Sequence, residues 1–132
     1  HGPHVLAKLE AEIREPSLYD EVLRLAARRG IAMPDEVLAR DVTLTHKVHD
    51  GVIAGWKIVY EAPEQHWALY EVAEKLVDLE DYFRRWRFNH VTTVERVIGL
   101  KRGTGGTGGT SYLRRMLDVE LFPELWRVRT EL

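Results

Sequence analysis

Residues 86–111 read WRFNHVTTVERVIGLKRGTGGTGGTS, and this stretch decides the fold. Its first half carries Trp86, His90, Val94 and Val97 at intervals of three and four residues, the spacing of one face of an α-helix. The same periodicity extends back along the chain for several turns. It predicts one long helix from Glu64 to Gly99, with the imidazole of His90 on the apolar stripe of that helix and facing a core.

The position of His90 is compatible with two chemical interpretations. A neutral imidazole on an apolar face can present one nitrogen to a metal centre such as haem iron, with the apolar neighbours forming a wall around a flat cofactor. The other interpretation is a core histidine satisfied by a hydrogen bond, and position alone favours it. The pattern by itself leaves both open.

The predicted helix is long for its chain. About 36 residues at about 1.5 Å each span about 54 Å, whereas a globular chain of this size has a radius of gyration of about 14 Å. Such a helix must bend, break or pack against another chain. The β-branched run at residues 91–94 is the predicted place for a local irregularity.

A glycine–threonine stretch follows the helix. Residues 103–108 formally satisfy the G-x-G-x-x-G dinucleotide pattern, but that pattern identifies a dinucleotide site only between a strand and a helix, and the chain shows no strand signal. The glycines instead predict a segment with many backbone states, suited to closing over a ligand. A flexible linker is the alternative.

The rest of the chain also has helical patterns, which together predict a single all-α domain over residues 1–132, a helical bundle built on the one long helix. Ser17 and Gly30 mark the start and the stop of one helix. The other predicted helices are His4–Arg14, one or two turns near residues 37–40, Thr45–Tyr60, Ser111–Leu117, and a last one with Pro123 in its first turn.

Composition narrows the function classes. The 19 basic and 21 acidic residues are interspersed and give a net charge of -2, which does not support a nucleic-acid partner. Cysteine is absent, so a metal would need nitrogen or oxygen ligands. No apolar run approaches the roughly 20 residues of a membrane span, and no cleavable signal opens the chain, so the cytoplasm is the expected location.

Two further patterns involve charged or titratable side chains. His46 and His49 stand one turn apart on the predicted third helix and could bind a metal only with further ligands such as Asp50, so a solvated helix face is the preferred interpretation. The four-apart pairs on the long helix, which include Glu80–Arg84 and Asp81–Arg85, are predicted to be structural.

Three motifs together carry a family resemblance. They are residues 86–111, the segment P-S-L-Y-D-E at 16–21, and the ending L-F-P-E-L-W-R-V-R-T-E-L at 121–132. From about Pro16 to Leu132 the chain closely resembles the carboxyl-terminal half of the tryptophan 2,3-dioxygenase family. The resemblance implies an all-α, haem-dependent dioxygenase.

The resemblance also implies roles for particular residues. His90, the histidine of H-V-T-T-V-E-R, would be the proximal ligand of haem b. Thr104, the first threonine of G-T-G-G-T, would help to hold the ammonium group of L-tryptophan. The flexible loop that closes over the substrate would contain Gly103, Gly105, Gly106 and Thr107. Arg87 and Arg102 are available to pair with haem propionates or with structural carboxylates.

The implied reaction is cleavage of the indole ring of L-tryptophan by O2 to N-formylkynurenine, in tryptophan catabolism through the kynurenine pathway. The implied assembly is a cytoplasmic homotetramer. The family's distal histidine, carboxylate-binding arginine and pocket aromatics come from the amino-terminal half of the subunit, and their motifs are absent here, so no catalytic residue is assigned. We expect the chain to be part of a longer enzyme and inactive alone; the alternatives are a haem-binding or subunit-interaction module without turnover and a purely structural bundle.

Overall fold

The computed structural model describes residues 17–100, 115 and 117–132, apart from the side chains of residues 98–100. These residues form helices and connecting segments, with no β-strand among them, which confirms the predicted all-α class. The helices are α1 Leu18–Arg28, α2 Asp35–Leu38, α3 Asp50–Glu61, α4 Trp67–Leu100 and α5 Pro123–Val128. No helix among the described residues is long and apolar enough to cross a membrane.

Helix α1 begins and ends at its predicted signals. The hydroxyl of Ser17 accepts a hydrogen bond from the backbone N–H of Asp20, and the Asp20 carboxylate accepts one from the Ser17 N–H, which forms a capping box. Gly30 has a φ of 93°, a left-handed conformation that glycine adopts without steric cost. The start and the stop of α1 are therefore both encoded locally.

Replacing Ser17 by alanine removes an acceptor that the first turn of α1 needs. We expect the free energy of unfolding to fall by about 1 kcal/mol, a typical cost for loss of an N-cap side chain. The Ser17→Asn variant keeps an acceptor and serves as the control. Urea denaturation of both variants measures the difference, and equal losses in the two would contradict a capping role.

The described residues fall into two compact units, one made of residues 17–73 and 122–132 and the other of residues 74–100, 115 and 117–121. In the first unit, α3 and α5 pack together around buried apolar side chains. The most deeply buried of these are Val52, Trp56, Val59, Leu125 and Val128. Helix α4 contributes residues to both units. The single-domain organisation that the sequence predicts stays a prediction.

Helix boundaries correct two predictions. The third helix begins at Asp50 rather than Thr45, because His49 is its N-cap and its Nδ1 atom accepts the N–H of Gly51 at 2.9 Å. The long helix begins at Trp67, after a turn over residues 63–65, and ends at Leu100.

The long helix also lacks the predicted irregularity. Residues 91–94 stay α-helical, and the hydroxyl of Thr93 donates to the carbonyl of Asn89 one turn earlier. This bond lets a β-branched residue remain in the helix with its hydroxyl satisfied. The last helix has Pro123 in its first turn, as predicted. The predicted helix His4–Arg14 and most of Ser111–Leu117 lie outside the described residues.

Candidate functional site

His90 lies two-thirds of the way along α4, and its side chain is exposed. The prediction that it faces a core is therefore wrong for the described chain. At 100° per residue, α4 carries two separate faces whose centres are about 110° apart. One face is buried and contains Leu76, Val77, Glu80 and Val91. The other, which we call the aromatic stripe, is exposed and contains Leu79, Tyr82, Phe83, Trp86, His90 and Val97.

The ring of His90 stacks on the indole of Trp86 one turn earlier. The ring centroids are 5.0 Å apart and the planes differ by 5°. Trp86 is itself 52% exposed, and with Tyr82, Arg85 and Asn89 it lines an open groove of about 300 Å³. The stack restricts the rotation of an imidazole that otherwise lies at the surface. His90 therefore presents an oriented imidazole beside aromatic and apolar side chains.

Arg87 is committed to backbone contacts one turn before His90. Its Nε donates to the carbonyl of Phe83 at 3.3 Å, and its Nη1 donates to the carbonyl of Val119 at 3.2 Å. The sequence left open whether Arg87 pairs with haem propionates or with structural carboxylates. These contacts favour a structural role, but the acceptors are backbone carbonyls and not carboxylates. Arg102 lies outside the described residues.

Glu80 differs from the surface ion pair that its sequence pattern predicts. Its side chain is fully buried, and its Oε2 accepts hydrogen bonds from the N–H of Leu121 at 2.9 Å and from Nη2 of Arg84 at 3.3 Å. The neighbouring pair Asp81–Arg85 has the same spacing but stays exposed, with 2.5 Å between Nη2 and Oδ2. Only tertiary packing distinguishes the two pairs.

The residues predicted to form the loop, Gly103, Thr104, Gly105, Gly106 and Thr107, lie outside the described residues. The described chain on either side of them is informative. Helix α4 ends at Leu100, about 15 Å along the axis beyond His90. Residues 117–120 line a cavity of about 450 Å³ with Arg84 and Phe88, which precede His90. The two described ends therefore flank His90 along α4.

His46 and His49 do not form a metal site in the structure. Both precede α3 instead of lying on a solvated helix face. The ring of His46 stacks on Tyr19 with a centroid distance of 3.8 Å, and Nε2 of His49 contacts the Glu36 carboxylate. No cluster of three or more potential ligands that could hold a metal ion occurs among residues 17–100, 115 and 117–132.

A buried carboxylate in the first unit was missed by sequence reasoning. Oε2 of Glu124 accepts hydrogen bonds from the hydroxyl of Tyr19 and from the backbone N–H of His49, both at 2.9 Å. Glu124 is 1% exposed. Burial raises its pKa, although the two hydrogen bonds oppose that rise, and burial also raises the pKa of Tyr19. Tyr19 lies in the P-S-L-Y-D-E motif and Glu124 in the carboxyl-terminal motif of the family resemblance. Their presence in these two motifs is the one sequence signal that could have indicated that the two residues are in contact.

Next to Tyr19, Asp20 forms a two-point contact with Arg40. The distances are 2.7 Å from Nε to Oδ1 and 3.0 Å from Nη2 to Oδ2. Burial would by itself raise the pKa of Asp20, but the hydrogen bonds from Arg40 and Ser17 outweigh burial and lower it. The contact fixes the segment after α2 against the start of α1.

These observations define the class as an all-α protein with an oriented, exposed histidine on the aromatic stripe of its longest helix. Residues 43–132 match the model of the tryptophan 2,3-dioxygenase family. The chain therefore belongs to the tryptophan 2,3-dioxygenase family.

Curated relatives agree with this assignment. The chain is 73% identical over 130 residues to a tryptophan 2,3-dioxygenase of Bradyrhizobium diazoefficiens, covering 98% of this chain and 47% of that protein. It is 59% identical to the tryptophan 2,3-dioxygenase of Polaromonas naphthalenivorans, covering 100% of this chain and 47% of that protein. For that of Burkholderia ambifaria the identity is 60%, with 100% and 43% covered. The chain spans about half the length of these relatives.

Proposed function

We propose that this chain is the carboxyl-terminal half of a haem-dependent tryptophan 2,3-dioxygenase, which cleaves the indole ring of L-tryptophan with O2 to give N-formylkynurenine. The observation that carries the proposal is the exposed imidazole of His90, stacked on Trp86 in the aromatic stripe of α4. Membership of the family supports the same reaction.

The residues around His90 fit haem b. A neutral imidazole is a suitable axial ligand for haem iron, and the exposed side chains of Phe83, Trp86 and Val97 supply apolar surface beside it. When bound, haem supplies the iron that binds O2. His90 would hold the iron, and Trp86 would keep the imidazole plane from rotating.

The proposed role of Thr104 is to hold the substrate. Its hydroxyl oxygen would accept a hydrogen bond from the ammonium group of L-tryptophan, and Gly103, Gly105, Gly106 and Thr107 would let the backbone approach the ligand closely. Membership of the tryptophan 2,3-dioxygenase family supports this role.

We also propose a cytoplasmic homo-oligomer, a tetramer as in the family. The exposed aromatic stripe supports this assembly, because large apolar side chains in one contiguous row usually mark a surface that another protein segment covers. The residues that recognise the tryptophan carboxylate and indole ring would lie in the other half of the subunit, since this chain spans about half the length of its relatives.

The second candidate is a helical haem-binding or subunit-interaction fragment without turnover, and the half-length coverage is the observation that favours it. Haem titration and tryptophan turnover should be measured for the 132-residue chain and for a complete subunit. We expect N-formylkynurenine from the complete subunit and none from the chain alone. Full activity of the chain alone would contradict the proposal that both halves of the subunit contribute to the substrate pocket. A haem band without turnover in the complete subunit would favour the second candidate.

A further inference from the structure

His49 connects the start of α3 to two other helices. Its Nδ1 atom accepts the N–H of Gly51 in the first turn of α3 at 2.9 Å, and its Nε2 atom contacts the Glu36 carboxylate on α2. Its backbone N–H donates to Oε2 of Glu124 on α5 at 2.9 Å. The same residue therefore caps one helix and contacts two others.

The contacts of the imidazole assign its protonation state. A backbone N–H can donate only to a ring nitrogen that carries no proton, so Nδ1 is the unprotonated nitrogen. An ionised carboxylate only accepts hydrogen bonds, so the proton of the neutral ring lies on Nε2 and points to Glu36. The imidazolium carries a proton on each nitrogen, and it cannot accept the N–H of Gly51.

Protonation of His49 has opposite effects on its two partners. The imidazolium donates a charge-assisted hydrogen bond to Glu36, which is stronger than the bond from the neutral ring. At the start of α3 it loses the bond from Gly51 and places a positive charge at the helix end that favours a negative one. The first turn of α3 also packs closely against α2, because a Cβ atom on Gly51 would lie 2.5 Å from Cγ of Pro34. The cap on α3 and the ion pair with Glu36 therefore exclude each other.

Other charged and titratable groups surround this imidazole. Glu36 on α2, Glu124 on α5 and Asp50 at the first position of α3 are carboxylates that favour a positive charge on the ring. The remaining groups line the same cavity of about 360 Å³ as His49, and they are Tyr19, Arg40, Asp41, His46 and Lys47. The cationic members of this set oppose a further positive charge. Burial raises the pKa of Glu124, so a test must separate the titration of Glu124 from that of His49.

We propose that His49 is a pH-responsive N-cap, which holds the first turn of α3 when its imidazole is neutral and releases that turn when it is protonated. Histidine side chains change charge between about pH 5 and pH 8, and the His49 side chain is 33% exposed, so it can exchange protons with solvent. Because His49 also donates its backbone N–H to Glu124, release at acid pH loosens the attachment of α3 to α5. This inference concerns the first compact unit alone and does not depend on the proposed function.

Hydrogen exchange at the Gly51 amide tests the proposal in the complete subunit. After correction for the intrinsic dependence of exchange on pH, we expect the protection of this amide to fall about fivefold between about pH 8 and pH 5, the typical effect of losing an N-cap side chain. His49→Asn supplies an acceptor that does not titrate, and it should keep the protection at both pH values. His49→Ala lacks the acceptor and should have low protection at both.

Two further variants identify the group that titrates. His46→Asn removes the other imidazole that lines the cavity, and it should respond to pH as the wild type does. Glu36→Gln keeps an acceptor for Nε2 but removes the carboxylate that stabilises the imidazolium, so its loss of protection should occur at lower pH than in the wild type. All of these variants retain Glu124.

Three results would overturn the inference. Equal protection of the wild-type Gly51 amide at the two pH values would show that protonation does not release the cap. A loss in His49→Asn as large as that in the wild type would assign the response to another group, with Glu124 the first candidate. Loss of the response in His46→Asn would assign it to His46. If His49→Ala does not fold, the comparison of the wild type with His49→Asn still decides whether His49 is the responsive cap.

Discussion

Replacing His90 by alanine is expected to abolish haem binding by the complete subunit and to leave its fold intact. The imidazole is exposed, and its described contact is the stack on Trp86. Alanine has the highest helix propensity of all residues, so the substitution should not weaken α4. Loss of the axial ligand should lower haem affinity by more than about a hundredfold, since loss of a mere outer-sphere partner already costs 10–100-fold. Absorbance titration with haem and far-ultraviolet circular dichroism measure the two effects.

A matched control and a rescue make this test specific. His66→Ala deletes another imidazole just before α4, where the described hydrogen bonds of His66 involve its backbone, and it should bind haem normally. Free imidazole added to His90→Ala should restore part of the haem band, because the side chain it replaces is open to solvent. Unchanged haem content in His90→Ala would refute the assignment of His90 as the ligand.

Local signals account for the parts of the fold that the sequence predicts well. Capping of α1 by Ser17 and its termination at Gly30 involve residues within about one turn of each end, so the sequence pattern contains all of the relevant chemistry. The start of α3 was misplaced because His49, an unusual capping residue, performs the role expected of Thr45.

Tertiary packing accounts for what the sequence does not predict. Helix α4 has apolar residues on two faces whose centres are about 110° apart, and the sequence pattern does not distinguish these faces. The sequence therefore placed His90 on the buried face, although it lies on the exposed one. In the same way, Glu80 and Asp81 have identical pair spacing, and only the approach of Leu121 makes one of them a buried anchor. The identity of the haem ligand came from the family motif, and it stays a prediction.

Substitution of the buried Glu124 is expected to change both the stability of the fold and its dependence on pH. Its Oε2 accepts from the Tyr19 hydroxyl and from the His49 N–H, so Glu124→Ala leaves two buried donors without this acceptor. At about 1–3 kcal/mol for each unsatisfied donor, the free energy of unfolding should fall by about 2–6 kcal/mol. Because both bonds end on one oxygen, the amide oxygen of Glu124→Gln can accept both.

The pH dependence of the Glu124→Gln variant separates the role of the acceptor from the role of the charge. Burial raises the pKa of Glu124 in the folded state above the unfolded value of about 4.3. A raised folded pKa means that the stabilising contribution is fully present below the unfolded pKa and is lost as pH rises through the folded pKa. Glutamine does not titrate. Relative to the wild type, Glu124→Gln should therefore gain stability as pH rises above about 4 and then level off.

Urea unfolding from about pH 4 to pH 8 would measure this difference. The lowered pKa of Asp20 destabilises every variant as pH falls, so it cancels in the comparison. Tyr19 has a raised pKa and stays protonated, so its hydroxyl remains a donor throughout this range. The exposed Glu131→Gln variant should run parallel to the wild type. If Glu124→Gln lost as much stability at neutral pH as Glu124→Ala, the charge itself would be required, and the buried carboxylate would contribute more through ionisation than its burial costs.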